Sequence, residues 1–155
     1  MVHILNSENS ILNTFLAEIR DAVIQKDSMR FRRNLERIAE VCAYEISKTL
    51  NYSEKQFVTP LGIANISTPD DQIVASTILR AGLPLHQGIL NFFDGAQNAF
   101  IAAYRKYDKG EDFHINIEYA STPDLEGKTL ILADTMLATG ASLELAYKRL
   151  CDEGQ

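Results

Sequence analysis

Apolar residues along this chain change their spacing several times, and each change marks an element. From Ser10 onward Ile11, Leu12, Phe15, Leu16, Ile19 and Val23 recur at helical spacing, with Asn9 or Ser10 placed as an N-cap. A second helix is expected from Asp27 or Ser28 to about Leu50-Asn51, carrying Phe31, Leu35, Ile38, Cys42 and Ile46 on one stripe. The two are expected to pack as an antiparallel pair. Residues 57–67 read as a broken extended segment, interrupted by Pro60 and Gly62, for which a short hairpin or edge element suffices.

Continuous apolar runs follow. Ile73 to Leu79 and Leu130 to Ala133 lack polar alternation and are bounded by turn residues, as expected of strands buried on both faces in a parallel sheet. Ala99 to Tyr104 reads as another strand, and Leu83 to Phe93 as the helix between the first two. Phe113, Ile115, Ile117 and Tyr119 alternate with His114, Asn116 and Glu118, which predicts a half-buried strand. With the turn at 107–112 it makes a two-stranded flap. A last helix, capped by Ala141 or Ser142, is expected to contain Leu143, Leu145, Ala146, Leu150 and Cys151 and to end at Gly154 as a C′ residue.

At 155 residues the chain fits one domain, with residues 1–55 helical and 56–155 holding the sheet core. Its net charge of −6 argues against a nucleic-acid surface, which requires a basic face. No apolar run reaches membrane-spanning length, and MVHILNSENS lacks the basic-then-apolar order of a secretory signal, so a cytoplasmic protein is expected. Cys42 and Cys151 have neither metal-ligand spacing nor a paired framework. Asp70 and Asp71 read as solvated turn acids. Arg30, Arg33 and Arg37 can line one solvated helix face and pair with Glu36 and Glu40.

Candidate chemistry concentrates between Thr129 and Leu143, TLILADTMLATGASL. Thr139, Gly140, Ala141 and Ser142 are small, so several backbone N–H groups and two hydroxyls can face one concavity at a helix start, a nest for phosphate. Asp134, at the strand end, suits hydroxyl groups or a metal; a pentose phosphate carries both kinds of group. An ordinary strand-to-helix connection would use the same residue types as turn and N-cap residues. Two further apolar strands each run into an arginine, Arg80 and Arg105, at the end where parallel sheets bind ligands.

The string DTMLATGAS resembles the 5-phosphoribosyl-1-diphosphate (PRPP) loop of the type I phosphoribosyltransferases, and MLATG resembles its uracil phosphoribosyltransferase branch, whose loop reads Asp-Pro-Met-Leu-Ala-Thr-Gly-Gly-Ser. Thr135 stands here for the family proline and Ala141 for its second glycine. ILRAGLPL is similar to the family's Ile-Leu-Arg-Ala-Gly-Leu segment, and Tyr104-Arg105 to its Tyr-Arg. The resemblance implies an α/β fold: a type I phosphoribosyltransferase-like parallel sheet flanked by helices, with an N-terminal helical pair and a β-hairpin flap. It implies transfer of the phosphoribosyl group from PRPP to uracil, giving UMP and pyrophosphate, with Mg2+ held mainly by PRPP and no protein metal site.

By the same resemblance Asp134 and Arg105 are catalytic. Arg80, Arg105, Asp134, Thr135, Met136, Leu137, Ala138, Thr139, Gly140, Ala141 and Ser142 bind PRPP. The stretch around Arg30-Phe31-Arg32 and Ala43-Tyr44-Glu45 resembles a peripheral subunit-contact region of the family, so a homo-oligomer is expected. The family's Gly-Leu-Gly-Asp-Ala-Gly-like uracil-reading segment has no counterpart in this sequence, which predicts a fold incomplete at its carboxyl end, with a hydrophobic sheet edge beside the PRPP strand. Alternatives are a non-catalytic PRPP- or nucleotide-binding regulatory domain, a phosphoribosyltransferase for another base, or a structural partner with a decayed site.

Overall fold

Asp27 sets the first long element. In the computed structural model, which describes residues 2–107 and 113–154, its carboxylate accepts from the amides of Met29 and Arg30, both at 3.1 Å. Those are two of the amides a helix start leaves unbonded, and α2 (Ser28–Ser47) begins there. The preceding helix α1 (Leu12–Arg20) is shorter than its apolar periodicity: Asp21 accepts from the amides of Val23 and Ile24, and a 3-10 turn (Ile24–Lys26) replaces the last helical turn. Val23 is therefore exposed. Glu18 ties the pair together, accepting from Asn34 Nδ2 at 2.6 Å and facing Arg30 at 3.4 Å.

The chain then runs up β1 (Tyr52–Thr59) and down β2 (Gly62–Pro69), an antiparallel hairpin in full register from Tyr52↔Pro69 to Thr59↔Gly62. It is longer than the broken segment its sequence suggests, because backbone pairing carries the polar run Ser53 to Gln56 into the ladder. The helical part ends at Ser47, and the hairpin begins before residue 56.

The main sheet contains β3 (Ile73–Leu79), β4 (Gln97–Tyr107), β5 (Phe113–Ser121) and β6 (Thr129–Ala133) in the order β5-β4-β3-β6. β3 lies parallel to both β4 and β6, and β5 is antiparallel to β4 with a register shift at Ala102/Ala103. β5 thus continues the sheet at its edge and pairs along β4; residues 108–112, where the tip of the expected flap falls, lie outside the described residues. No described helix is long and apolar enough to cross a membrane.

Burial explains why β3 shows no alternation. Ile73 and Ala75 face one side and pack with Leu35 and Ala39 of α2 and with Leu85 and Ile89 of α3 (Leu83–Leu90). Val74 and Ile78 face the other and pack with Ala146 and Leu150 of α4 (Ala141–Glu153). Burying each of the large side chains stabilises the fold by about 1.5–3 kcal/mol. α3 stops at Leu90, three residues before the apolar pattern ends.

Candidate functional site

α3 follows β3 and covers one face of the sheet; α4 follows β6 and covers the opposite face. The two neighbouring strands, paired up to Thr77↔Ala133, thus send their chains apart, and that divergence opens a crevice at their carboxyl ends. Arg80 lies on one lip, directly after β3, and Asp134 on the other, directly after β6.

The Arg80 lip is a tight turn. Gly82 N–H donates to the Ile78 carbonyl at 3.2 Å and Leu83 N–H to the Arg80 carbonyl at 3.3 Å. The Leu79–Arg80 peptide is cis. A methyl on Gly82 would meet Thr77 Oγ1 at 1.9 Å and the Ile78 carbonyl at 2.9 Å, so a glycine is the residue this turn admits. The Arg80 side chain is exposed and makes no hydrogen bond or ion pair with other described residues. Arg105 lies on β4, three residues beyond Ala102, the partner of Leu79. Its side chain, like those of Lys106 and His114, and like Lys109 as a whole, lies outside the described residues.

The Asp134 lip runs from Asp134 through Thr135, Met136, Leu137, Ala138 and Thr139 to Gly140. Asp134 Oδ1 accepts from the Thr135 amide at 2.8 Å. That amide would be missing with proline at 135, so Thr135 adds a bond holding the carboxylate. Met136, Leu137, Ala138 and Thr139 are exposed. Gly140 adopts φ 81° and is the residue before α4, which corrects the expectation that Ala141 or Ser142 caps the helix: α4 starts at Ala141. The left-handed position falls on Gly140, and no non-glycine described residue has positive φ, so Ala141 takes the place of glycine without strain.

The N-cap Gly140 has no side chain with which to cap α4, and the Ala141 amide donates to Thr139 Oγ1 at 3.4 Å. The following first-turn amides are open to water or an anion, beside the Ser142 hydroxyl, and the helix dipole favours negative charge there. At the other end Gly154 has φ −95°, not the left-handed C′ conformation. Its lack of a side chain serves packing, since a methyl there would meet Leu125 at 2.6 Å.

Several other residues are structural. Asp71 accepts from the Asn51 amide at 2.6 Å and from Thr129 Oγ1 at 3.0 Å; Asp70 faces Lys55 at 2.9 Å. Asp70 is exposed, as expected of a solvated turn acid, whereas Asp71 is half-buried and bonded. His86 is buried, its Nε2 2.7 Å from Asn98 Oδ1 and its ring against Phe100 at 4.7 Å, a packing role. Arg33 pairs with Glu36 at 2.6 Å and reaches Glu40 at 3.7 Å, while Arg37 lies over the Phe15 ring. Burial pushes the Cys42 thiol above its ordinary pKa.

Two clefts lie elsewhere. One of about 410 Å³ runs between α1, α2 and Phe92, where Glu36 and Glu40 already offset Arg33. The other, about 480 Å³, opens at the amino ends of β3 and β4 and carries Asp71 and Asp94. Neither lies at the carboxyl ends of β3 and β6, where Arg80 and Asp134 stand. Sequence reading missed Thr77 in that crevice: fully buried, its Oγ1 donates to the Ala133 carbonyl at 3.0 Å. The available signal was the pair Ser76-Thr77 inside an otherwise apolar strand.

Comparison with known proteins agrees with this geometry. A uracil phosphoribosyltransferase of Porphyromonas gingivalis is 55% identical over 150 residues, covering 97% of this chain and 69% of that protein. A uracil phosphoribosyltransferase of Methanothermobacter thermautotrophicus is 38% identical over 138 residues, covering 88% of this chain and 62% of its own length. Among solved structures, the AQ2163 protein of Aquifex aeolicus superposes with a TM-score of 0.78 at 28% identity, over 94% of this chain and 68% of that one. The family profile for uracil phosphoribosyltransferase matches residues 6–155, and with these relatives it places the chain in the uracil phosphoribosyltransferase family.

Proposed function

We propose that this protein transfers the 5-phosphoribosyl group of PRPP to uracil, yielding UMP and pyrophosphate in pyrimidine salvage. The observation that carries the reading is the crevice between β3 and β6, which sets an exposed arginine opposite a carboxylate and the glycine-led start of α4. A molecule with diphosphate, ribose hydroxyls and a terminal phosphate has a matching order of groups. The names borne by the family and its relatives supply uracil as the acceptor.

In this reading the amides and hydroxyls from Ala138 to Ser142 hold the 5-phosphate, with Met136 and Leu137 forming the outer wall of the loop. Asp134, steadied by the Thr135 amide, accepts from the ribose hydroxyls. Arg80 and Arg105 neutralise the departing pyrophosphate. The C1–O bond breaks with its electron pair leaving on pyrophosphate, C1 passes through an oxocarbenium-like state, and the uracil nitrogen bonds to C1 and releases its proton. The described residues contain no group of three His, Cys, Asp or Glu side chains suited to a metal, and Asp134 is the single such side chain on the crevice lips. Mg2+ fits as an ion carried in by the diphosphate, supplying charge neutralisation there.

The setting is the cytoplasm, and the assembly a homo-oligomer. The hairpin β1–β2 supports the latter, since Val58, Leu61, Ile63 and Ile66 are exposed on it. Calorimetric titration with PRPP and Mg2+, followed by addition of uracil, tests the function. Binding and UMP formation are expected; binding without UMP would point to a regulatory domain, turnover with another base to a different acceptor, and no binding would overturn the reading.

A further inference from the structure

We propose that Thr77 is the positioning residue that holds the Arg80 turn and the Asp134 loop in one fixed relation, through a hydroxyl placed between the two strand ends. This rests on the PRPP reading of the crevice and names a side chain that touches neither sugar nor phosphate.

The geometry comes from a hydrogen bond and a close backbone approach at one side chain. Thr77 is fully buried at the last position of β3 that pairs with β6, opposite Ala133, while β3 stays paired with β4 through Leu79. Its Oγ1 donates to the Ala133 carbonyl at 3.0 Å. A β-branched side chain is restricted at χ1, and the hydrogen bond to the Ala133 carbonyl holds this hydroxyl in one of its few staggered orientations. The Ala133 carbonyl belongs to the peptide plane that also carries the Asp134 N–H; fixing the carbonyl fixes that plane and the N–Cα bond about which the Asp134 side chain is set.

The same oxygen supports the other lip. Gly82 approaches so closely that a Cβ there would sit 1.9 Å from Thr77 Oγ1 and 3.2 Å from Thr77 Cβ. The Arg80-Ala81-Gly82 turn therefore rests on the threonine. Beyond Thr77↔Ala133 no ladder pair joins the strands, and their helices leave for opposite faces. The hydroxyl is the final link between two segments that must grip opposite ends of one diphosphorylated sugar.

Mg2+–PRPP affinity measured by calorimetry on the full chain tests this in five forms: native, Thr77→Val, Thr77→Ser, Asp134→Asn, and Thr77→Val with Asp134→Asn. Valine keeps the shape and removes the hydroxyl, leaving a carbonyl short of its donor, and is expected to weaken binding about tenfold. Serine restores the donor and should bind within about twofold of native, because the hydrogen bond and not the methyl carries the effect. If Thr77 acts through Asp134, adding Thr77→Val to Asp134→Asn should cost less than it does alone. Native-like affinity for Thr77→Val, equal weakening by valine and serine, or strict additivity would each overturn the proposal. Should the valine variant fail to fold, Thr77→Ala, which leaves space instead of a methyl against the carbonyl, carries the same expectation. Absence of binding by the native chain would instead overturn the PRPP reading, and it is seen before any substitution is made.

Discussion

Asp134 shows how much a single side chain depends on its neighbours. Its Oδ1 is already engaged by the Thr135 amide at 2.8 Å, which leaves Oδ2 for a hydroxyl donor. Asparagine can keep the bond to that amide while losing the charge, so Asp134→Asn should leave folding intact and weaken PRPP binding about ten- to a hundredfold, as for loss of a hydrogen bond to a charged group. Calorimetry beside a melting curve checks this; unchanged affinity would remove Asp134 from the site. The residues at the two lips were legible in the sequence, because acid, small residues and arginine at strand ends are local patterns. Thr77 and Gly82 were not, since what distinguishes them is an approach across two strands and a turn. Gly140 was misjudged as a neighbour of the cap for a related reason: both flanking positions admit small residues, and the φ of 81° alone says which one needs glycine.

At the scale of elements, the apolar period gave the strands well where both faces are covered. β3 spans Ile73–Leu79, as its largely apolar stretch predicts, and β6 spans Thr129–Ala133, one residue more than its run from Leu130 predicts. Helix ends were less legible, because capping carboxylates such as Asp21 cut an apolar period short. The α2–α3 contact rests on Gly88, where a methyl would meet the Glu36 carbonyl at 2.2 Å and Ala39 Cβ at 2.7 Å. Gly88→Ala should therefore push α3 off α2 and destabilise the protein by about 1–3 kcal/mol in urea unfolding, as overpacking does. The amino ends of the strands offer a pH test. The Asn51 amide, then the Thr129 hydroxyl, hold the Asp71 carboxyl below its ordinary pKa. A lowered folded pKa contributes stability above the unfolded value, about 3.9, that is lost as pH falls through the folded one. Melting temperature should then drop more steeply below about pH 4 in the native chain than in Asp71→Asn. Parallel curves for the two proteins would mean that Asp71 adds no acid sensitivity.

For the whole molecule, the feature its own packing leaves unexplained is the β1–β2 hairpin. A two-stranded ribbon is marginal in water unless something covers it. Val58 is 91% exposed, Leu61 wholly so, and Ile63, the cross-strand partner of Val58, is exposed beside them. A second copy related by a two-fold axis would cover both hairpins at once, since each chain then offers and receives the same apolar tip. The hairpin also joins β3 at its amino end, through Asp70, Asp71 and Gln72, whereas the crevice opens at the carboxyl end. The base of the hairpin and the crevice therefore lie at opposite ends of β3. Sedimentation of the native protein should give a species at least twice the 17.3 kDa of one chain. Replacing Val58 and Leu61 together by lysine places two charges where the partner's apolar surface would lie, and should return the protein to 17.3 kDa while Mg2+–PRPP affinity stays within about twofold of native, because no crevice residue is touched. A native protein that sediments as a single chain, or a substituted one that stays assembled, would place the subunit contact elsewhere, on α2 or on the free edge of β6. Loss of affinity on dissociation would mean that the partner shapes the crevice after all.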